Sequence, residues 1–185
     1  MAPLHYAAYE NDPDVVRMLI EAGADHAARD THPTVPAFGG STPLFLCALQ
    51  GCAAAAAALL AGGADVNLRG GANVPPLITA IVCSPQVPAL WQMMITANAD
   101  LEQVAPHTAM QRYRGMRALH AAIVSGNLTA TRTLLEAGAD VAARIEACGG
   151  PAAFEGKDAW ALAASEGAAF VDVLRQTRAG HAGEA

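Results

Sequence analysis

The chain has 185 residues, of which 53 % are apolar, 5 % aromatic and 15 % charged, and its formal net charge is −6. This acidic balance excludes a general nucleic-acid binder, because such proteins usually carry a basic face. No stretch is both apolar and long enough to cross a bilayer, and the start lacks a secretory signal. The four cysteines form neither a CxxC pair nor a zinc-finger spacing. We therefore expect a cytoplasmic protein without membrane contact.

Two short strings recur along the chain in a fixed order. The first string contains a leucine, namely Leu4, Leu44, Leu77 or Leu119, and a weaker fifth copy is centred on Trp160. The second string is Gly-Ala-Asp, which begins at Gly23, Gly63 and Gly138 and has the variant Asn98-Ala99-Asp100. Leucine and glycine are 19 residues apart in three copies and 21 apart from Leu77 to Asn98. Self-similarity of this kind indicates supersecondary units that bury their apolar faces against one another.

Two helices are predicted in each unit. In the first unit, Val15, Val16 and Leu19 place apolar side chains at helical spacing. Pro13 and Pro88 lie where the second helix of a unit begins, a position that tolerates the missing N–H group. Upstream of the second copy, Thr42 is a capping residue followed by Pro43 at the first helical position. A turn residue follows seven positions after each string residue: Asn11, Gly51, Ser84, Gly126 and Gly167.

These strings resemble the ankyrin repeat, whose signature T-P-L-H-x-A returns about every 33 residues. The resemblance implies an all-α ankyrin-repeat solenoid of about five helix-turn-helix units, joined by β-hairpin fingers. We expect a single array over residues 1–185, with repeats at approximately 1–30, 40–70, 73–104, 115–144 and 156–180 and a polar tail at 179–185. His5 and His120 hold the histidine position of the signature, and the resemblance implies that they bond backbone groups and connect neighbouring units. The first unit begins at its helix, which leaves open a start within a repeat or a piece of a longer protein.

Three of the four fingers are predicted to be extended. Counted five residues past each motif aspartate, the fingers begin at Asp30, Gly70, Ala105 and Ile145, and their turn positions are Gly40, Asn73, Gly115 and Gly156. Only the second finger keeps the ordinary gap of three residues, while the other gaps are 10, 10 and 11 residues. Insertions in a solenoid map to loops on one face, which is often the binding face.

Each long finger has an aromatic residue two positions before its turn glycine: Phe38, Tyr113 and Phe154. One interpretation is that each ring braces its finger against a neighbour. The other is that the rings anchor a partner, since aromatic side chains are favoured at interface cores. The sequence alone leaves both interpretations open.

A row of arginines is expected along the fingers. Arg29, Arg69 and Arg144 share one repeat position, four residues after the motif aspartate, and the third finger adds Arg112, Arg114 and Arg117 around its aromatic residue. The row is either a solvated edge with local pairing or a basic strip that steers an acidic partner segment.

A second row is expected on the first helices of the units, two positions before the turn residue. It contains Tyr9, Leu49, Val82 and Val124. In ankyrin proteins these positions commonly face the groove, which implies an apolar floor that fits a helix or an extended peptide. The alternative is that the long fingers themselves cover this floor.

No motif in the chain indicates chemistry, since neither G-x-S-x-G nor H-E-x-x-H occurs. We expect no cofactor, no metal site and no catalytic residue. The predicted function is a monomeric, non-catalytic protein–protein interaction module whose partner is an acidic protein or peptide. The alternative is a targeting or substrate-recognition segment of a larger enzyme, adaptor or effector.

Overall fold

The structure, a computed structural model, describes residues 2–30, 40–105, 111–147 and 151–182. These residues form ten α-helices and two single 3-10 turns, at Gly71–Asn73 and Gln111–Tyr113, and they contain no strand. No helix in the described ranges is long and apolar enough to cross a membrane. The helices are α1 (Pro3–Tyr9), α2 (Pro13–Glu21), α3 (Pro43–Gln50), α4 (Ala53–Ala61), α5 (Pro76–Cys83), α6 (Pro88–Thr96), α7 (Ala118–Val124), α8 (Leu128–Glu136), α9 (Ala159–Glu166) and α10 (Ala168–Ala182).

The helices begin where the capping residues predict. Pro13 and Pro88 are the first residues of α2 and α6. The hydroxyl oxygen of Thr42 accepts a hydrogen bond from the N–H group of Phe45 at 3.2 Å, which satisfies one free donor at the start of α3. These local signals confirm the helical part of the prediction.

Consecutive helices pack as five pairs, arranged in two rows. The odd-numbered helices contact each other in order from α1 to α9 and form what we call the inner row, and the even-numbered helices form the outer row from α2 to α10. One core follows both rows. Leu4, Leu44, Leu77 and Leu119 are each 2 % exposed, so the four motif leucines occupy equivalent sites in this core.

The Gly-Ala-Asp string ends each of the first four outer helices and starts the next finger. Gly63 and its counterpart Asn98 have positive φ angles of 88° and 60°, a conformation that glycine and asparagine adopt most readily. One carboxylate oxygen of Asp25, Asp65, Asp100 or Asp140 then accepts the N–H group two residues later, at 2.8 to 2.9 Å.

All four fingers close through the same two backbone hydrogen bonds. In the first finger, Asp30 N–H donates to the Ser41 carbonyl and Gly40 N–H donates to the Asp30 carbonyl, both at 2.8 Å. The short second finger repeats the pattern between Gly70, Asn73 and Val74. The register obtained by counting residues is therefore correct. The β-hairpin part of the prediction is not confirmed, because no strand forms in the described residues, and the exact number of repeats stays a prediction.

Candidate functional site

The predicted groove floor lies at the C-terminal ends of the inner helices. Tyr9 at the end of α1 is 47 % exposed, and Leu49 and Val82 on α3 and α5 are half-buried. Val124, the last residue of α7, is only 3 % exposed and belongs to the core. The floor is therefore accessible over the first three helix pairs and closed at the fourth.

The third finger reaches the floor at the fourth helix pair. Arg112 donates from Nη2 to the carbonyl oxygen of Val124 at 3.2 Å, at the end of a helix where the dipole favours a cation. Tyr113 is half-buried against the core, and this burial raises the pKa of its phenol, while the charge of Arg112 opposes the rise. Val124 therefore offers no surface to a partner, contrary to the expectation from sequence.

The arginine row is largely engaged with the fingers themselves. Arg29 donates from Nη1 to the Gly40 carbonyl at 2.9 Å. Arg69 donates to the carbonyl of Asn73 at 3.1 Å and to the carbonyl of Val104, which directly precedes the third finger. The side chain of Arg144 is exposed. Since a guanidinium has five N–H donors, these bonds position the arginines without using all of their hydrogen-bonding capacity.

The finger aromatics pack inward in the part of the chain that the structure describes. Tyr113 and Phe154 are both half-buried against the core, and the ammonium group of Lys157 lies 6.0 Å from the Phe154 ring centre. Phe38 lies outside the described residues. Arg114 is half-buried next to Tyr113. Packing of two rings against the core agrees with the bracing interpretation, although both rings keep part of their surface accessible.

A set of contacts between fingers was not found from sequence. Arg117 forms ion pairs with Glu102 at 3.2 Å and Glu146 at 3.3 Å, and its Nη1 donates to the Arg144 carbonyl at 2.7 Å. Glu102 also accepts the N–H group of Asp140 at 2.9 Å. The role of Glu102 could have been predicted from its position, because it lies two residues after a motif aspartate, at a constant offset within the repeat.

Asn67 occupies the same repeat position as Glu102, one unit earlier. Its side-chain oxygen accepts the N–H group of Asp100 at 2.7 Å, and Gln103 donates to the Asn67 carbonyl at 3.2 Å. Two consecutive units therefore hold the next motif aspartate through the same position. Together with the Arg117 ion pairs, these contacts connect the second, third and fourth fingers to one another.

The signature histidines hold the fingers of their own units. His5 Nε2 lies 3.1 Å from both the Ala28 and Ser41 carbonyl oxygens. His120 Nε2 lies 2.9 Å from the Ala143 carbonyl oxygen, and its Nδ1 accepts the N–H group of Arg117 at 3.3 Å. Burial lowers the pKa of His120 to about 4, so its imidazole is neutral near pH 7. Both histidines contact backbone groups, as the resemblance implies, and His5 also reaches the next unit through the Ser41 carbonyl.

The described cysteines are held as protonated thiols. Burial raises the pKa of Cys47, Cys52 and Cys83, so little of any thiolate is present near pH 7. In the described ranges, no group of three histidine, cysteine or acidic side chains has an arrangement that could hold a metal ion.

Two family models match the chain. A model of ankyrin repeats in three copies matches residues 1–70, and a model of the single ankyrin repeat matches residues 114–145. The chain belongs to the ankyrin-repeat family. The matches cover the first two helix pairs and the fourth, which carry the most complete copies of the signature.

Curated ankyrin-repeat relatives are similar over about three quarters of the chain. B-cell lymphoma 3 protein homolog of Mus musculus is 30 % identical over 171 residues, covering 75 % of this chain and 36 % of the relative. NF-kappa-B inhibitor alpha of Mus musculus is 30 % identical over 142 residues, covering 77 % and 32 %. E3 ubiquitin-protein ligase XBAT32 of Arabidopsis thaliana is 27 % identical over 159 residues, covering 76 % and 30 %. The chain thus spans about a third of the length of these relatives.

Proposed function

We propose that this chain is a non-catalytic protein–protein interaction module that binds a protein or peptide along its inner row. The observation that carries the proposal is that Tyr9, Leu49 and Val82, at equivalent positions of three adjacent inner helices, keep accessible apolar surface. A floor of this kind accepts the apolar face of a helix or the alternate side chains of an extended peptide. One relative, NF-kappa-B inhibitor alpha, is named for its action on another protein.

The third finger sets the length of the proposed site. Because Arg112 and Tyr113 close the floor at α7, the site extends over α1, α3 and α5. Its finger side offers the remaining guanidinium donors of Arg29 and Arg69, which suit acceptor groups on a partner. The proposed partner segment is therefore amphipathic, with apolar side chains toward the floor and carboxylates toward the fingers.

Arg144, Arg114 and Phe154 belong to an extension of this surface along the later fingers. Arg144 is exposed, and the other two side chains are half-buried. Phe38, from the first long finger, is included on its sequence position alone. These residues contact a partner only if it continues past the third finger.

The test compares a substitution on the floor with one on the outer row. Peptides of about 16 residues, long enough for four helical turns, are selected by phage display on the wild-type chain. We expect their affinity to fall more than tenfold with Leu49→Asp and to stay unchanged with Ala57→Asp, since Ala57 is exposed on α4. Equal losses from both variants, or binding that survives Leu49→Asp, would place the site elsewhere.

A second arm tests the charge of the partner. Replacing Arg29 with alanine should weaken acidic peptides more than neutral ones, and the difference should shrink as salt is raised. If acidic and neutral peptides respond equally, the arginine row does not select the partner.

A second candidate function is substrate recognition for a larger enzyme, adaptor or effector. The observation that favours it is the similarity to an E3 ubiquitin-protein ligase, of which the chain spans 30 %. Isolating the endogenous protein and mapping its peptides by mass spectrometry tests this candidate. Peptides from a catalytic domain in the same polypeptide support it, and a protein made only of repeats contradicts it.

A further inference from the structure

The first helix pair exposes apolar side chains that later pairs bury. The exposed large hydrophobic residues in the described ranges are Tyr6, Tyr9 and Met18, and all three belong to α1 or α2. Tyr6 is 53 % exposed and lines an open depression of about 510 Å³ together with Ala7, Val15 and Leu19. We call the surface around this depression, formed by Tyr6, Ala7, Val15 and Leu19, the open face. It lies on the first helix pair, at one end of both rows.

Equivalent positions in the other units provide an internal reference for the open face. Tyr6 lies two residues after the motif leucine, Val15 lies eight residues before the glycine of Gly-Ala-Asp, and Leu19 lies four residues before that glycine. Val15 and Leu19 are half-buried. Their counterparts in the later units are all buried: Leu46, Thr79, Ala121 and Leu162 for Tyr6; Ala55, Leu90 and Ala130 for Val15; Leu59, Met94 and Leu134 for Leu19.

The contacts between helices show the setting in which these counterparts are buried. Each later inner helix packs against the inner helix before it, and each later outer helix packs against the outer helix before it. At every internal junction, therefore, a helix pair meets the pair that precedes it. The open face has the composition of such a junction without the preceding pair.

A buried polar atom at the same end of the array also fits a junction that lacks its preceding helix pair. His5 Nδ1 is buried and has no hydrogen-bond partner among the described residues. The equivalent atom of His120 accepts the N–H group of Arg117, two residues before the motif leucine. The corresponding donor for His5 is the N–H group of Ala2. A finger arriving from a preceding unit would position this N–H group.

The opposite end of the rows is different. Between Ala159 and Thr177, the exposed side chains of α9 and α10 are small or polar, for example Ser165, Glu166, Asp172 and Arg175. A polar outer face is the property of a terminal capping repeat. One end of the described array is thus suited to water, and the other is suited to a protein surface.

Charge distinguishes the possible occupants of the open face. Between Pro3 and Glu21, four carboxylates (Glu10, Asp12, Asp14 and Glu21) accompany one guanidinium, that of Arg17. Two copies of the chain meeting through this face would bring two acidic rims together, which is unfavourable. The polar end of a second copy does not match the apolar depression either.

We propose that the open face is a stacking surface for one further ankyrin-type helix pair, placed before Ala2 in the same polypeptide and carrying a neutral or basic rim. The covering pair packs on α1 and α2 as α1 and α2 pack on α3 and α4. This inference is independent of the groove, because it concerns the end of the array and not the floor of the inner row.

The main test adds such a pair to the full chain. A designed ankyrin helix pair with a polar outer surface is fused before Ala2 through a copy of the short finger Arg69–Val74. We expect hydrogen exchange of the α1 and α2 amides to slow by about tenfold or more, because neighbouring repeats stabilise each other through their interface. Unchanged exchange in α1 and α2 would overturn the proposal.

A matched substitution separates stacking from a general effect of the fusion. Tyr6→Lys should leave exchange nearly unchanged in the original chain, where Tyr6 is exposed, and should abolish most of the slowing in the fused chain. Ala57→Lys on the outer row should have no effect in either chain. The proposal fails if Tyr6→Lys acts equally with and without the fused pair.

Two further measurements decide the source of the occupant. Sedimentation of the original chain should show a monomer, whereas self-association that Tyr6→Lys abolishes would assign the face to a second copy. Mass spectrometry of the endogenous protein should find repeat-type peptides upstream of Met1 and a mass above 18.9 kDa. A native mass of 18.9 kDa would overturn the placement in the same polypeptide, whatever the outcome of the groove experiments.

Discussion

The second and fourth fingers solve the same structural problem with different chemistry. Both close through the same pair of backbone hydrogen bonds. The chain that enters the fourth finger is held by His120, whose Nε2 lies 2.9 Å from the Ala143 carbonyl oxygen. The second finger faces Phe45 at the equivalent position of its unit. A Cβ atom on Gly70 would lie only 2.0 Å from the Phe45 ring, so the finger backbone packs directly on that ring.

The difference shows that the histidine position needs contact with the finger but not a particular kind of contact. A hydrogen bond to a carbonyl group serves in one unit, and burial of an aromatic ring against a glycine serves in the other. The two solutions respond differently to substitution and to pH. A buried imidazole can take up a proton when the chain unfolds, whereas a phenyl ring cannot.

The largest effect is expected from Phe45→Ala. Phe45 is buried, and removing a buried phenylalanine side chain costs about 3–5 kcal/mol of unfolding free energy. Urea denaturation of the variant measures this loss. Phe45→His is the matched second variant. The Leu68 carbonyl occupies the repeat position of the Ala143 carbonyl, so a histidine at position 45 has an equivalent hydrogen-bond partner. If the position accepts either chemistry, Phe45→His should lose clearly less stability than Phe45→Ala, and equal losses would contradict this view.

The next effect is a dependence on pH in the fourth unit. The pKa of His120 is lowered by burial to about 4 in the folded chain, against about 6.5 in an unfolded chain. The unfolded chain therefore binds the proton more readily between these values. The free energy of unfolding should be unaffected by His120 above about pH 6.5, and it should fall by about 3 kcal/mol as the pH decreases to 4.

The measurement compares the wild type with His120→Gln in urea at several pH values. Carboxylates also titrate below pH 5, and the difference between the two proteins removes their contribution. The difference should narrow from pH 7 to pH 4, because only the wild type loses stability through this ring. Parallel curves would mean that His120 is protonated as easily in the folded chain as in the unfolded one.

The repeat frame could be predicted from sequence because it depends on local signals. The motif leucines, the Gly-Ala-Asp turns and the finger register are all set by residues at constant offsets, and four copies make these offsets visible. Thr42 and Pro13 act within one helical turn. Such features are visible in the sequence because each repeat shows them at the same offset.

The course of the long fingers could not be predicted in the same way. The inserted residues have no periodicity, and their contacts lie in other units. Arg112 reaches the end of α7, and Arg117 pairs with Glu102 and Glu146, which are 15 positions before it and 29 after it. Val124, whose carbonyl oxygen accepts the Arg112 hydrogen bond, is buried. The spacing of residues in the sequence does not determine the path of a long finger, so these contacts could not be predicted from it.

The turn glycines of the third and fourth fingers differ in a single respect, which is contact with a neighbouring finger. Their turn residues, Gly115 and Gly156, have similar positive φ angles of 75° and 70°. A Cβ atom on Gly115 would lie 2.1 Å from the backbone oxygen of Glu146 on the fourth finger, while one on Gly156 would meet nothing within 4 Å. Replacement by alanine therefore separates the cost of the backbone conformation from the cost of the contact between fingers.

Gly156→Ala should lower the free energy of unfolding by about 1–2 kcal/mol, the usual cost of a left-handed conformation for a residue with a Cβ atom. Gly115→Ala should lose a further 1–3 kcal/mol or so, because the added atom forces two backbones apart. Urea denaturation with equal m-values allows the comparison. Equal losses at both positions would show that the third and fourth fingers are farther apart in solution. The fingers would then act singly, and a partner could separate them at little cost.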